Sequence, residues 1–198
     1  MPEILKVTPK NFKEIVKITV KAIEQGKVTV CPTDTLYGLI ADARNQKAVK
    51  KLLKIKKRQS QKPIPIFVKD IKMAKKFAQI KKEQEKILKK VWPGKVTVIL
   101  KPKRKFPKGI GKPKREIGLR IPDYKIVNKL LSITNLPLTG TSANISDHPP
   151  STKIKEVLKQ FKNQRHQPDL VVDAGDLSKS KPSKILDLTT FPPKILRK

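Results

Sequence analysis

The stretch Val28-Thr29-Val30-Cys31-Pro32-Thr33-Asp34-Thr35-Leu36-Tyr37-Gly38 decides the fold class. Val28 to Cys31 is a β-branched run that ends at a proline, the pattern of a short buried strand. Two threonines flanking an aspartate follow, and then a tyrosine-glycine turn. A polar strand end of this kind suits a ligand, because open α/β sheets bind ligands beyond the carboxyl ends of their strands. A second polar strand end, Leu138 to Ser146, and a basic stretch, Lys54 to Lys62, complete three segments that point to one anion-binding cleft.

Working outward, apolar residues at helical spacing predict a helix over Thr8 to Gln25, stopped by Gly26, with the strand Lys27 to Cys31 directly after it. Further helices are expected at Lys47–Lys57, from an Asp70 cap to Ala78, at Lys82–Val91, at Asp123–Ile133 and at Thr152–Phe161, the last capped by Ser151 or Thr152. Strands are expected near Ile64–Val68, and at Lys95–Leu100, Ile117–Ile121, Leu136–Thr141, Leu170–Asp173, Lys184–Leu188 and Ile195–Arg197. Ser60 to Pro65 is irregular because Pro63 and Pro65 break any helix. Trp92-Pro93-Gly94 is a turn. The acid-free, proline- and glycine-rich run Lys101–Arg115 reads as a flexible basic loop, and its Gly109-x-Gly111 lacks the rest of a dinucleotide fingerprint. The elements do not alternate strictly. They predict an α/β (α+β-like) architecture, an open, twisted, mixed sheet with helices on its faces.

The chain has 198 residues and a net charge of +31, from 47 Lys and Arg against 16 Asp and Glu. Such a field attracts polyanions, although a lysine-rich solvated surface has the same composition. Cys31 is the only cysteine, so no intramolecular disulfide forms, and a reducing compartment fits. With His148 and His166 as the only histidines, a structural zinc site is excluded. No signal peptide is expected, and no run of the ~20 apolar residues a membrane helix needs is present in the sequence. A soluble, cytoplasmic protein without a membrane partner is expected.

Lys56 and Arg58, just past a helix and followed by Ser60, suit a polyphosphate: lysine offers a point charge and arginine a planar fork of donors. Hydroxyls of Thr33, Thr35, Ser142 and Ser183 suit the orientation of a small polar substrate or donation to phosphate oxygens; each also suits a cap or turn. Arg120 sits among apolar residues in its strand, where it either faces solvent at a sheet edge or serves a ligand. Asp34, the only acid in the candidate segments, is a partner for a metal or amine, or a turn former. Ser142, Asp147 and His148 make a poor triad: they are too close in sequence and lack a nucleophile elbow.

Six segments in order resemble the YrdC-like threonylcarbamoyl-adenylate synthases in their short, single-domain form: Pro32 to Gly38, Lys56-Lys57-Arg58, Trp92-Pro93-Gly94, Gly118-Leu119-Arg120-Ile121-Pro122, Ser142-Ala143-Asn144 with Ser146, and Ser183 to Leu188. The resemblance spans about Val28 to Arg197. It implies one YrdC-like domain over residues 1–198, with a concave basic cleft and without the second domain and cleft-covering linker of longer relatives. The activity implied is formation of threonylcarbamoyl-AMP and pyrophosphate from L-threonine, bicarbonate and ATP. A separate transferase complex then modifies adenosine 37 of tRNA. By the same resemblance Lys56 and Arg58 are catalytic and hold the ATP phosphates. Thr33, Arg120, Ser142 and Ser183 meet threonine, and Asn144, Thr152 and Arg197 meet the nucleotide. Mg²⁺ is held mainly by ATP phosphates rather than by protein. Three positions depart from the family pattern: Gln59 follows Arg58, Lys184 follows Ser183, and Phe67 stands where longer relatives carry histidine. Two alternatives remain open, a tRNA- or double-stranded-RNA-binding or ribosome-maturation protein of the same fold, and a carbamoyl-adenylate-forming domain of the hydrogenase-maturation type.

Overall fold

The computed structural model describes residues 2–58, 63–112 and 115–198. Its helices are α1 (Phe12–Glu24), α2 (Gln46–Ile55), α3 (Ile71–Phe77), α4 (Lys82–Val91), α5 (Lys125–Thr134) and α6 (Ile154–Phe161). Local chemistry sets their starts. Asp70 caps α3 by accepting from Met73 N at 2.6 Å, and the Asn45 side chain caps α2 through the Lys47 and Ala48 amides. Helix α1 starts later than its periodicity suggests. Thr8 and Asn11 exchange side-chain-to-backbone hydrogen bonds and hold the chain in a turn before it. Ser151 does the same before α6, accepting from Lys153 N and donating to Glu156.

The mixed-direction α/β architecture is divided between two sheets. A five-stranded sheet has the order β1 (Glu3–Lys6), β9 (Leu170–Asp173), β2 (Thr29–Cys31), β3 (Gly38–Ile40), β8 (Thr141–Ser142). A six-stranded sheet has the order β11 (Lys194–Arg197), β10 (Lys184–Asp187), β5 (Val96–Leu100), β6 (Ile117–Arg120), β4 (Ile66–Phe67), β7 (Leu138–Thr139). Each contains parallel and antiparallel pairs: β2 runs parallel to β9 and antiparallel to β3, and β5 runs parallel to β10 and antiparallel to β6. The opening strand β2 is fully buried, as its β-branched composition requires. Strands β1 and β3 escape a sequence reading because each is short and defined by its partner, β9 and β2 respectively.

The expected strand Leu136–Thr141 is two strands in two sheets. β7 pairs with β4, the chain crosses at Gly140, and β8 pairs with β3. Glycine is required at the crossing, because a Cβ there would meet three Phe67 ring atoms at 2.5 to 2.9 Å. Bonds between Thr139 and Ala41 tie the sheets together beside this point.

Two apolar clusters flank the sheets. Ile15, Val16, Val20 and Ile23 of α1 meet Ile126, Val127, Leu130 and Leu131 of α5 in the smaller. The larger lies under α2, α3 and α6 and includes Leu52, Ile66, Ala74, Leu119 and Val157. The basic loop after β5 is not loose along its described length. Ile110 is buried and bridges to Ile64, Pro102 bridges to Ala78, and the Phe106 ring lies 5.5 Å from that of Phe77. These apolar anchors inside a lysine-rich run hold it against the core. Among the described residues, no helix is long and apolar enough to cross a membrane.

Candidate active site

A cavity of about 250 Å³ opens between the two sheets, where the chain crosses from one to the other. Thr33, Thr35, Gly38 and Ser142 line it from the first sheet; Phe67, Thr97, Arg120 and Arg197 line it from the second. Arg58 and Asn144 complete the polar wall. Three arginines and no carboxylate are among the described lining residues, which makes this an anion site by charge.

The basic pair is separated by a helix end. The Lys57 amide bonds to the Lys54 carbonyl and the Arg58 amide to the Leu53 carbonyl, with Lys57 at φ 49°. This is a Schellman closure with lysine at the left-handed position usually held by glycine. It turns Lys56 inward and sends Arg58 to the cavity. Lys56 is 1% exposed, and its ammonium donates to the Ser142 carbonyl at 2.7 Å, the Asn144 side-chain oxygen at 2.7 Å and the Asn144 carbonyl at 3.0 Å. Burial, and then the nearby Arg58, push its pKa down to about 7. Lys56 therefore stands behind the wall and holds the Ser142–Asn144 turn. It is not among the residues lining the cavity, in contrast to the phosphate contact the resemblance implies.

Asn144 is saturated within the protein. Its oxygen accepts from Lys56 and from Ser142 Oγ, and its amide donates to the Ile145 and His148 carbonyls. The Thr33 hydroxyl shapes its own turn, donating to the Leu36 carbonyl and accepting from the Thr35 and Leu36 amides. Arg58 donates to the Pro63 carbonyl at 3.2 Å; burial lowers its pKa and Asp147 acts in the opposite sense.

Arg120 is buried in an interior strand, so the solvent-facing edge reading does not apply. Its Nε donates to the Gly94 carbonyl at 2.8 Å, its Nη2 to Asp34 at 2.6 Å, and its guanidinium carbon lies 5.7 Å from the Phe67 ring centre. The Trp92-Pro93-Gly94 turn thus supplies a backbone acceptor to the site. Asp34 is the arginine's counter-ion. Arg197, on the last strand, donates from Nε and Nη2 to the Ser183 carbonyl, and Ser183 Oγ shares a 2.9 Å hydrogen bond with Thr97. Burial and repulsion from Arg120 both lower the Arg197 pKa.

The fold therefore brings Arg58, Thr33, Arg120, Ser142, Asn144, Ser183 and Arg197 to one cavity. Thr152 is not among the lining residues; its carbonyl accepts from Leu177 N, and Pro150 is the lining residue nearest it in sequence. Ser60 and Gln59 lie outside the described residues. Thr97 escaped the sequence reading, its signal being a hydroxyl in an otherwise apolar strand. Among the described residues no group of three or more His, Cys, Asp or Glu is placed to hold a metal ion.

The Sua5/YciO/YrdC family model, described as telomere recombination, matches residues 21–198. The chain belongs to this family. A Methanocaldococcus jannaschii relative provisionally named threonylcarbamoyl-AMP synthase is 39% identical over 190 residues, 94% of this chain and 86% of its own. The threonylcarbamoyl-AMP synthase of Pyrococcus abyssi is 31% identical over 92% of this chain, and the matched part is 53% of its length. The crystal structure of P. abyssi Sua5 complexed with L-threonine superposes with a TM-score of 0.88 at 29% identity, covering 100% of this chain and 57% of that one. This chain thus spans about half the length of the Pyrococcus relative and most of the Methanocaldococcus one. Of the residues in the family's motif pattern, Thr33, Arg58, Arg120, Ser142, Asn144, Ser183 and Arg197 line the cavity, and Lys56 and Thr152 do not.

Proposed function

We propose that this chain is a threonylcarbamoyl-AMP synthase, using L-threonine, bicarbonate and ATP. The observation that carries the reading is the cavity between the sheets, lined by Arg58, Arg120 and Arg197 with no carboxylate, in a chain related to synthases of that name. In this reading the threonine carboxylate meets Arg120, and the hydroxyls of Ser142 and Ser183 orient the amino acid beside the turn that the Thr33 hydroxyl holds. Arg58 and Arg197 face the nucleotide phosphates. Lys56 serves the reaction by keeping Ser142 and Asn144 in place.

The chemistry then needs little covalent help from the protein. The threonine nitrogen bonds to the bicarbonate carbon with loss of water, giving a carbamate. A carbamate oxygen bonds to the α-phosphorus, and the bond to the bridging oxygen breaks to release pyrophosphate. Positioning and charge neutralisation by fixed guanidinium groups supply most of the acceleration. The cavity offers nitrogens and hydroxyls rather than carboxylates, so Mg²⁺ belongs to this reading as part of the ATP substrate, held by phosphate oxygens. A downstream transferase complex acting on tRNA, in the cytoplasm, would consume the adenylate.

The test is pyrophosphate release by purified protein, with the adenylate identified by mass. Release is expected only when threonine and bicarbonate are both present; turnover with carbamoyl phosphate and no threonine would favour the hydrogenase-maturation chemistry instead. The net charge of +31 favours a second property, contact with RNA. If charge alone drives it, affinity falls steeply with salt and ignores sequence. Salt-resistant binding without synthase turnover would make RNA binding the primary function.

A further inference from the structure

Asp34 and Arg120 form a buried ion pair, their side chains 7% and 4% exposed. The pair is also a partition. Arg120 lines the 250 Å³ cavity, whereas Asp34 lines a neighbouring cavity of about 470 Å³; Thr33 and Thr35 line both. Each partner is fixed by a second contact. The other Asp34 oxygen accepts from Asp123 N at 3.2 Å, and Arg120 Nε is taken by the Gly94 carbonyl at 2.8 Å.

This arrangement decides which part of the guanidinium can meet a ligand. Its Nε/Nη2 side is occupied by Gly94 and Asp34, and Nη1 makes a long, 3.4 Å contact with Thr35 Oγ1. Arg120 lines the cavity, and the hydrogens these contacts leave on Nη1 and Nη2 are what it can offer a ligand; a carboxylate fits a guanidinium edge with two parallel N–H···O bonds. An arginine without such restraint has several rotamers to lose on binding. The Thr33–Leu36 turn links the two sides: Thr33 lines the cavity, its hydroxyl closing the turn on the Leu36 carbonyl, while the next residue, Asp34, grips the arginine.

We propose that Asp34 is a positioning residue, which fixes the orientation of Arg120 before the substrate carboxylate arrives. The inference rests on the synthase reading and deepens it. Asp34 touches no substrate and acts through Arg120 alone.

Four proteins test this: Asp34→Ala, Asp34→Asn, Arg120→Ala and the Asp34→Ala/Arg120→Ala double variant, assayed beside the wild type by pyrophosphate release. Asp34→Ala is expected to raise KM for L-threonine about tenfold or more with kcat within about threefold and KM for ATP unchanged, the split that marks lost substrate binding. Asp34→Asn keeps the shape of the side chain and gives an intermediate KM; it carries the test if the alanine variant does not fold. In the Arg120→Ala background, Asp34→Ala adds no further rise, because the two act as a unit. An unchanged threonine KM in the Asp34 variants of an active enzyme overturns the positioning role alone, and so does an additive effect in the double variant. Absence of threonine-dependent turnover in the wild type overturns the synthase reading and this inference with it.

Discussion

The Lys56 ammonium and the Asn144 side-chain oxygen lie 2.7 Å apart, joined across 88 residues of sequence. Their contact makes the lysine a strut for the turn that carries Ser142 and Asn144, while Arg58, two residues on, lines the cavity. The two members of the basic pair should therefore fail differently. Lys56→Met removes three hydrogen bonds to buried oxygens. The Ser142 carbonyl and the Asn144 side-chain oxygen each keep a second donor, Asn144 N and Ser142 Oγ. The cost therefore falls mainly on the Asn144 carbonyl, about 1–3 kcal/mol when left unpaired, less the cost of burying the charge. We expect a clear drop in melting temperature together with a loss of turnover of about 100-fold or more. Arg58→Ala should lose about as much turnover while its melting temperature moves by only about 3 °C or less, within about 1 kcal/mol for a domain of this size. Thermal melts run beside the pyrophosphate assay check both.

The depressed Lys56 pKa predicts a pH signature in stability. Its folded value of about 7 lies below the 10.5 of an unperturbed lysine. Between those values the unfolded chain binds the extra proton, so unfolding free energy rises with pH there. The penalty of the buried ammonium is present in full below about pH 7 and is relieved toward pH 10.5. Urea melts of the wild type and Lys56→Met should show the wild type gaining on the variant across that window. A difference that is flat or falls with pH would contradict the assignment.

Gly140 allows the chain to cross the Phe67 ring. In Gly140→Ala the new methyl must displace an aromatic ring packed beneath the Arg120 guanidinium, which has no flexible end to yield. Overpacking of this kind costs about 1–3 kcal/mol. The variant should melt lower and also lose activity, since the displaced ring borders the cavity.

Lys57 holds a left-handed conformation at φ 49°, in a position where glycine carries no Cβ strain. Lys57→Gly should stabilise the protein by up to about 1 kcal/mol, offset in part by the freer unfolded chain. Its activity should be that of the wild type, because the Schellman bonds that aim Lys56 and Arg58 are kept. Denaturant melts and the same turnover assay test it.

Much of the helical framework was legible from local pattern. Helix α4 falls at its expected residues, Asp70 caps α3, and β9 matches the expected Leu170–Asp173. Failures came where the answer lay in a distant partner. Strand β1 exists because β9 lies beside it, and Leu136–Thr141 reads as one strand because nothing local announces that its halves join different sheets. The loop after β5 reads as flexible from its prolines, glycines and lysines, yet Phe106 and Ile110 hold it to the core.

The candidate site divides along the same line. The sequence by itself determined the family pattern, the strand β2, the helix that ends at the basic pair and the residue types of an anion site, because side-chain periodicity and turn chemistry act over a few residues. Only the tertiary structure decided that Lys56 points inward and Arg58 outward, that Asp34 grips Arg120, and that Thr97 and Arg197 meet at Ser183. Several of these pairs join residues more than 80 positions apart, as in Asp34–Arg120 and Thr97–Ser183. Such a buried charge or hydroxyl must find a partner, but which partner it finds is set by how the two sheets pack.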